Sequence, residues 1–412
     1  MEAPAGEVLR EQADRVFASG AGSGKTAVRR AGALAGGTAM TDSAMQRLAR
    51  QTMARSLALR EGESVLIDVV GCAEALTEAM IEAACEAGAR PYLNVMPVRH
   101  LKSLIGGCTE EQFLQWAEMD RERLRTMNAY VGIRADDNIY EMTDVPEDRY
   151  DRYVRAYLQP KQMAMARLGR WVLLRSPTVG MAQLAGMSLD ACTGLYYRAC
   201  GLNYERFAEL AQPLCERLGR TDRVRIVAPG TDLSFSIRGM GHMVCDGRFN
   251  LPDGELFTAP RIDSAEGIIT FNVPASYMGI VYENVSLRFQ RGVVTDASCS
   301  VAERTERLQA VLKLDEGASR IGEFGIGLNP HIDRPMNNVL FDEKMRGSLH
   351  LALGQAYPMA DNGNESSVHW DLVLSQTKAS GGGALFFDDE LIRKDGLFLP
   401  PDLQPLDTWR GE

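Results

Sequence analysis

The stretch "SVLIDVVGCAEALTEAMIEAACEAGARPYLNVMPV", residues 64–98, decides the fold. It begins with a continuous apolar run from Ser64 to Val70, broken only by Asp68 and of the length of a buried strand. "CAEALTEAMIEAACEAGA" follows with apolar residues at helical spacing, and Gly88 stands where such a helix stops. "RPYLNVMPV" then returns to a strand-like run. A strand, a helix and a second strand in so short a span make a βαβ unit. Its two strands must run parallel, and its sheet must be covered by helices.

Reading outward, the pattern repeats on both sides. Upstream, "AMQRLARQTMARSLAL" has helical spacing from residue 44, and "EGE" turns the chain into Ser64. Downstream, "FLQWAEMDRERLRTM" predicts a helix leading into a third strand, "NAYVGIRA". "RWVLLRSP" predicts a fourth strand, and "TVGMAQLAGMSLDACTGLYYRACG" predicts helices broken at Gly186. Residues 40–220 are therefore expected to form an N-terminal α/β domain with a parallel sheet.

After Gly219 the period changes. "DRVRIVAPGTDLSFSIRG", "GIITFNVPA", "VSLRFQRGVVTDASCS" and "GALFFDDELIRKDGLF" alternate apolar with polar residues, punctuated by Gly, Pro and Asn. Period two with such breaks predicts antiparallel strands. One helix, "SVAERTERLQAVLKLDEG", interrupts them. Residues 221–412 are expected to form a second, α+β domain with a mixed or antiparallel sheet, giving a two-domain α/β plus α+β protein.

The bulk composition narrows the function. The chain has 412 residues, 45% hydrophobic and 24% charged, with a formal net charge of −10. An acidic chain without a basic tract gives no electrostatic reason for a nucleic-acid or anionic-membrane partner. The eight cysteines are scattered and form no CxxC pair, which suits reduced thiols in a reducing compartment. No apolar run long enough to span a bilayer appears, and Glu7, Arg10, Glu11, Asp14 and Arg15 are not followed by an apolar signal core. A cytoplasmic protein is expected.

"ASGAGSGKTAVRR", residues 18–30, has the letters of a phosphate loop in Gly24, Lys25 and Thr26, but Ser19 holds the place of the first glycine. No buried strand precedes it and no well-formed helix follows, both of which such a loop needs. Residues 1–39 are read as a flexible extension rather than a nucleotide site.

Chemistry concentrates in the second half, which holds four of the five histidines. Glu255 stands in "PDGELFTAP" and Glu323 among glycines in "IGEFGIGLNPHI". "FDEKMRGSLHLALGQAYP" carries Asp342, Glu343, His350 and Tyr357, and "SSVHWDLV" carries His369 and Asp371. Alternation on a strand puts His369 and Asp371 on one face, with Trp370 and Leu372 on the other. Glu343 and His350 are joined either by two helical turns or by a tight loop at Gly347. Carboxylates with imidazoles suit a divalent transition metal, and six such residues suit two ions sharing a carboxylate.

In their order, "GELFTAP", "GEFGIGLNP", "DEK…HLALGQAYP", "HWDLV" and "DDELIRKDGLF" resemble the M29 family of metallo-aminopeptidases, of the aminopeptidase T and S type. The resemblance runs from about Met40 to Phe398 and takes in "EGESVLIDV" and "PTVGMAQLAGMS". It implies a catalytic C-terminal domain with two divalent ions (zinc, cobalt, manganese or magnesium) that removes N-terminal residues from peptides, in a homodimer. It implies Glu255, Glu323, Glu343, His350, His369 and Asp371 as metal ligands, with Glu323 also near the attacking water and Tyr357 as the active-site tyrosine. The six-residue spacer between Glu343 and His350 is the one place where the motif is read as departing from the family pattern. The same superfamily includes a mononuclear iron dioxygenase that opens 2,5-dihydroxypyridine rings, so fold alone leaves that reaction, and hydrolysis of a pathway-specific amide, as alternatives.

Overall fold

The structure, a computed structural model, describes residues 38–138, 140–277 and 280–412. The phosphate-loop-like stretch at 18–30, with the rest of the expected extension up to residue 37, lies outside the described residues. The chain divides into two compact units. One runs up to Gly201 and takes back Gly247–Pro252; the other comprises Leu202–Asp246 and Asp253–Glu412.

The first unit is built on the parallel sheet that residues 64–98 predict. Its strands lie in the order Arg90–Met96, Ser64–Gly71, Ala129–Ala135, Trp171–Arg175, and the two-residue strand Asn250–Leu251 closes one edge. Ser64–Gly71 is flanked by a strand on each side and buried along nearly its whole length, which explains why it reads as a continuous apolar run rather than an alternating one. The helix Glu74–Glu86 makes the first crossover, and Gly88, at φ +71°, takes the left-handed conformation that turns the chain back into the sheet. Helix Glu110–Arg125 starts on a capping box in which Thr109 and Gln112 satisfy each other's backbone N–H. The predicted break at Gly186 is present: helices Val179–Leu184 and Leu189–Cys200 flank it, and the Ser188 hydroxyl caps the second.

Two groupings differ from the composition-based boundary at residue 220. Helix Tyr204–Arg220 belongs to the second unit, where Phe207 stacks on Trp409 at 6.0 Å and Asn203 N–H donates to the Gly411 carbonyl. Segment 247–252, in contrast, groups with the first. Helical periodicity reveals an apolar face but not the sheet that will cover it, and a two-residue strand carries no period at all.

The second unit contains two larger antiparallel sheets. One has eight strands and includes the hairpins Arg223–Ala228/Thr231–Ser236, Ser286–Gln290/Val293–Ser298 and Ala384–Phe387/Glu390–Lys394. In the second hairpin Arg291 and Gly292, at φ +48° and +75°, form the two-residue turn whose twist suits paired strands. The other sheet has five strands in the order His369–Ser375, Ser348–Gly354, Ile321–Gly327, Glu255–Thr258, His242–Cys245. Its three longest strands are buried from end to end. One face is apolar: Phe324, Ile326, Leu349, Leu351, Leu353, Trp370 and Leu372 share it by register, and Phe324 meets Phe235 of the eight-stranded sheet at 5.2 Å. Among the described residues no helix is long and apolar enough to cross a membrane.

Candidate metal centre

The opposite face of the five-stranded sheet gathers the polar residues. Cross-strand partners share a face, and the register pairs Glu255 with Gly327, Glu323 with Ala352, Gly325 with His350, Ala352 with Asp371 and Gly354 with His369. Each functional side chain therefore stands beside a glycine or alanine. At Gly325 the small residue is required, because a Cβ there would lie 2.1 Å from His350 Cε1 and 2.3 Å from its Nε2. Beta alternation sets His369 and Asp371 side by side, as their spacing predicts, with His369 Nε2 3.4 Å from Asp371 Oδ1. Trp370, on the other face, stacks on Tyr277 at 4.9 Å.

Five of the six predicted ligands come together in two donor groups: Glu255, Glu323 and His350 in one, and Glu323, His369 and Asp371 in the other. Glu323 is common to both. Its Oε1 lies 3.1 Å from His350 Nε2 and its Oε2 lies 3.4 Å from His369 Nε2, while His350 Nε2 is 3.7 Å from Glu255 Oε2. All five residues are at most 7% exposed, a depth at which carboxylates require a cation.

The tautomers follow from the backbone. His350 Nδ1 lies 3.1 Å from the Glu343 carbonyl and His369 Nδ1 lies 2.9 Å from the Gln355 carbonyl. A carbonyl only accepts, so each Nδ1 carries a proton and each Nε2 faces the carboxylates. A nitrogen and a carboxylate oxygen directed at each other at these separations need a proton or a metal ion between them. This is also the arrangement by which metal-binding histidines are oriented. Burial alone would lower the His350 pKa, but the Glu323 hydrogen bond and the charges of Glu255, Glu323 and Asp371 raise it to about 9. Burial raises the Glu255 pKa despite the opposing charge of Lys344. Glu255 Oε2, buried, accepts no hydrogen bond among the described residues. Two imidazoles, three carboxylates, fixed tautomers and an unsatisfied carboxylate oxygen fit divalent metal ions.

Glu343, the sixth predicted residue, enters neither group. It follows the short helix Val339–Asp342, and Gly347, at φ +81°, turns the chain into the His350 strand, so the connection is the tight loop rather than two helical turns. The Glu343 carboxylate is bound by the ammonium of Lys344, which also lies 3.3 Å from Glu255 Oε1. Tyr357 packs its ring against His369 at 5.0 Å and Phe257 at 5.6 Å. His242 and His331 stay outside the donor groups.

The sequence reading missed Lys344 and a third group, Cys245, Asp253 and Glu255, on the outer side of Glu255. Lys344 is fully buried; burial works against its charge, but Glu255, Glu343 and Asp253 more than offset that and hold its pKa well above the usual lysine value. The available signal was the triplet "DEK" itself, a lysine beside a candidate ligand inside a largely apolar segment. Burial raises the Cys245 thiol well above its usual value.

Comparison with known proteins bears on family and fold. The sequence profile of the M29 peptidase family, described as thermophilic metalloproteases, matches residues 41–398. Aminopeptidase T of Thermus aquaticus is 33% identical over 186 residues, covering 38% of this chain and 44% of that protein. Aminopeptidase AmpS of Bacillus subtilis is 32% identical over 162 residues, covering 35% and 38%. The matched stretch thus spans less than half the length of these curated relatives. In three dimensions, wild-type AmpT from Thermus thermophilus superposes with a TM-score of 0.71 at 20% identity, over 87% of this chain and 99% of that one. A 2,5-dihydroxypyridine dioxygenase from Pseudomonas putida superposes at 0.58 and 15% identity, over 88% and 99%. At these identities the superpositions establish a shared fold.

Proposed function

The chain belongs to the M29 family of metalloproteases, and from that premise we propose that it is an aminopeptidase whose second unit holds two divalent ions. The observation that carries the reading is the sharing of Glu323 between two donor groups. Glu255, Glu323 and His350 would hold one ion; Glu323, His369 and Asp371 would hold the other. Such ions polarise a scissile carbonyl and lower the pKa of a water. The chain's own residues do the rest. Glu323, common to both groups, stands beside the attacking water, and the proton that the water loses ends on the leaving amine. The Tyr357 hydroxyl donates a hydrogen bond to the developing oxyanion, a contribution of roughly 3 kcal/mol where comparable donors have been removed. The acidic lining recognises the α-ammonium of a peptide N-terminus. Glu343 joins the ligand set only by releasing Lys344. A homodimer acting on peptides in the cytoplasm, without nucleic-acid or membrane partners, completes the proposal.

The test is to load the purified protein with zinc, cobalt, manganese or magnesium in turn and follow amino-acid release from a dipeptide panel. Release from free but not N-acetylated peptides, with two ions per chain, is expected; silence on every peptide sinks the reading. One iron per chain with oxygen uptake on a dihydroxypyridine selects the ring-opening alternative. Cleavage confined to a small non-peptide amide selects a pathway-specific hydrolase.

A further inference from the structure

Lys344 places a fixed positive charge at one end of the site. Its side chain is fully buried. Its backbone is pinned on both sides, with its N–H donating to the Phe341 carbonyl at 3.1 Å and its carbonyl accepting from Asn329 N–H at 2.9 Å. The ammonium therefore cannot swing away to solvent without unpacking the loop. It binds Glu343 and lies 3.3 Å from Glu255 Oε1, while Glu255 Oε2 is the oxygen turned toward His350. One oxygen of Glu255 is thus taken by the lysine and the other is left for the donor group.

The charge is felt unequally. Glu255 and Asp371 stand on strands separated by the Ile321–Gly327 and Ser348–Gly354 strands. Glu323 turns one oxygen to each group, so the groups lie side by side, but Glu255, the carboxylate that Lys344 touches, belongs only to the first of them. A charge in contact with Glu255 opposes a divalent cation in the first group more than one in the second, because Coulomb repulsion falls with distance.

Resting on the two-ion reading, we propose that Lys344 is a positioning residue that grades the two donor groups. The Glu323–His369–Asp371 group fills first and tightly. The Glu255–Glu323–His350 group fills second and more weakly, and Lys344 fixes Glu255 to bind through Oε2 alone. Loading is then ordered by the protein rather than by chance.

Calorimetric titration of the metal-free protein with Mn²⁺, with elemental analysis of stoichiometry, tests this without any activity measurement. Wild type is expected to bind in two steps separated by about tenfold or more. Glu255→Gln should remove the weaker step and Asp371→Asn the tighter one. Lys344→Met should tighten the weaker step by about tenfold and leave the tighter one in place. Lys344→Arg, which keeps the charge, should keep the two-step separation and serves as the reference if the methionine variant does not fold. Coincident steps in wild type, the reverse assignment by the Glu255 and Asp371 variants, or a Lys344→Met variant whose weaker step loosens would each overturn the grading. A stoichiometry of one overturns the two-ion reading and the grading with it. Two graded steps in a protein that cleaves no peptide leave the grading standing and refute only the peptidase.

Discussion

Gly325 faces His350 across two antiparallel strands, and the space that a methyl group would need there is filled by the imidazole. Its backbone is ordinary extended strand, so alanine imposes no conformational strain; the whole effect must come from the side chain. We expect Gly325→Ala to turn His350 away from Glu323 and to weaken metal binding at the Glu255–Glu323–His350 group by about 10–100-fold, the range typical when the surroundings of a ligand are disturbed. The group built on His369 should keep its affinity, because His369 pairs with Gly354 instead. Titration of the variant checks this, and an unaltered pair of binding steps would refute the steric argument. The same logic explains why Glu323 stands among glycines in the sequence: the site face needs empty positions beside its ligands.

At the scale of elements, the interior strand Ser64–Gly71 carries one carboxylate through an apolar layer, and each neighbouring element supplies a partner. Asp68 accepts from Asn94 at 2.7 Å and from the Tyr130 hydroxyl at 2.6 Å, and its other ion partner, Lys161, lies 2.9 Å away on helix Gln159–Ala166. Burial would raise the Asp68 pKa, but Lys161 and Arg134 outweigh it and hold the group below the usual carboxylate range. A depressed folded pKa means that the stabilisation is fully present above the unfolded value, about 3.9, and is lost as pH falls toward the folded one. Asp68→Asn leaves Lys161 buried with a weakened partner and should cost about 3–5 kcal/mol near neutral pH. The deficit should shrink below about pH 4. Urea unfolding of both proteins at pH 7 and pH 3.5 decides it, and a deficit independent of pH would remove Asp68 as the source. In the sequence Asp68 was visible only as the interruption of a strand. The strand itself, its helices and the hairpins were legible because burial on one or two faces writes its period into the chain. Lys161, Tyr130 and Asn94 were not, since partnership across elements has no period. At the candidate metal centre, His369 and Asp371 were legible for the same reason as the hairpins, whereas Glu255, Glu323 and His350 meet through cross-strand register, and only the ordered motifs pointed to them together. Lys344 carried no period and lay outside every motif role.

For the whole molecule, the donor groups join four strands of one sheet in the second unit, while the parallel sheet of the first has its own core and supplies none of their residues. Without ions, the buried carboxylates are compensated by Lys344 and by protonation of His350, and both come at the expense of desolvated charge. An ion that binds only the folded state stabilises it by about 2.7 kcal/mol when its concentration is a hundredfold above Kd. That stabilisation is confined to whatever unfolds when the site is lost. Chelation should therefore raise amide hydrogen exchange in Ile321–Gly327, Ser348–Gly354 and His369–Ser375. Exchange in Ser64–Gly71 and Ala129–Ala135 should stay as it was. At the stated excess one ion lowers the open population by about a hundredfold. The site strands should accordingly exchange up to about a hundredfold faster without metal, wherever exchange proceeds through openings that break the site. Equal acceleration in both units would show that they unfold as one, and no acceleration in either would show that the five donors do not hold the second unit's sheet together through metal.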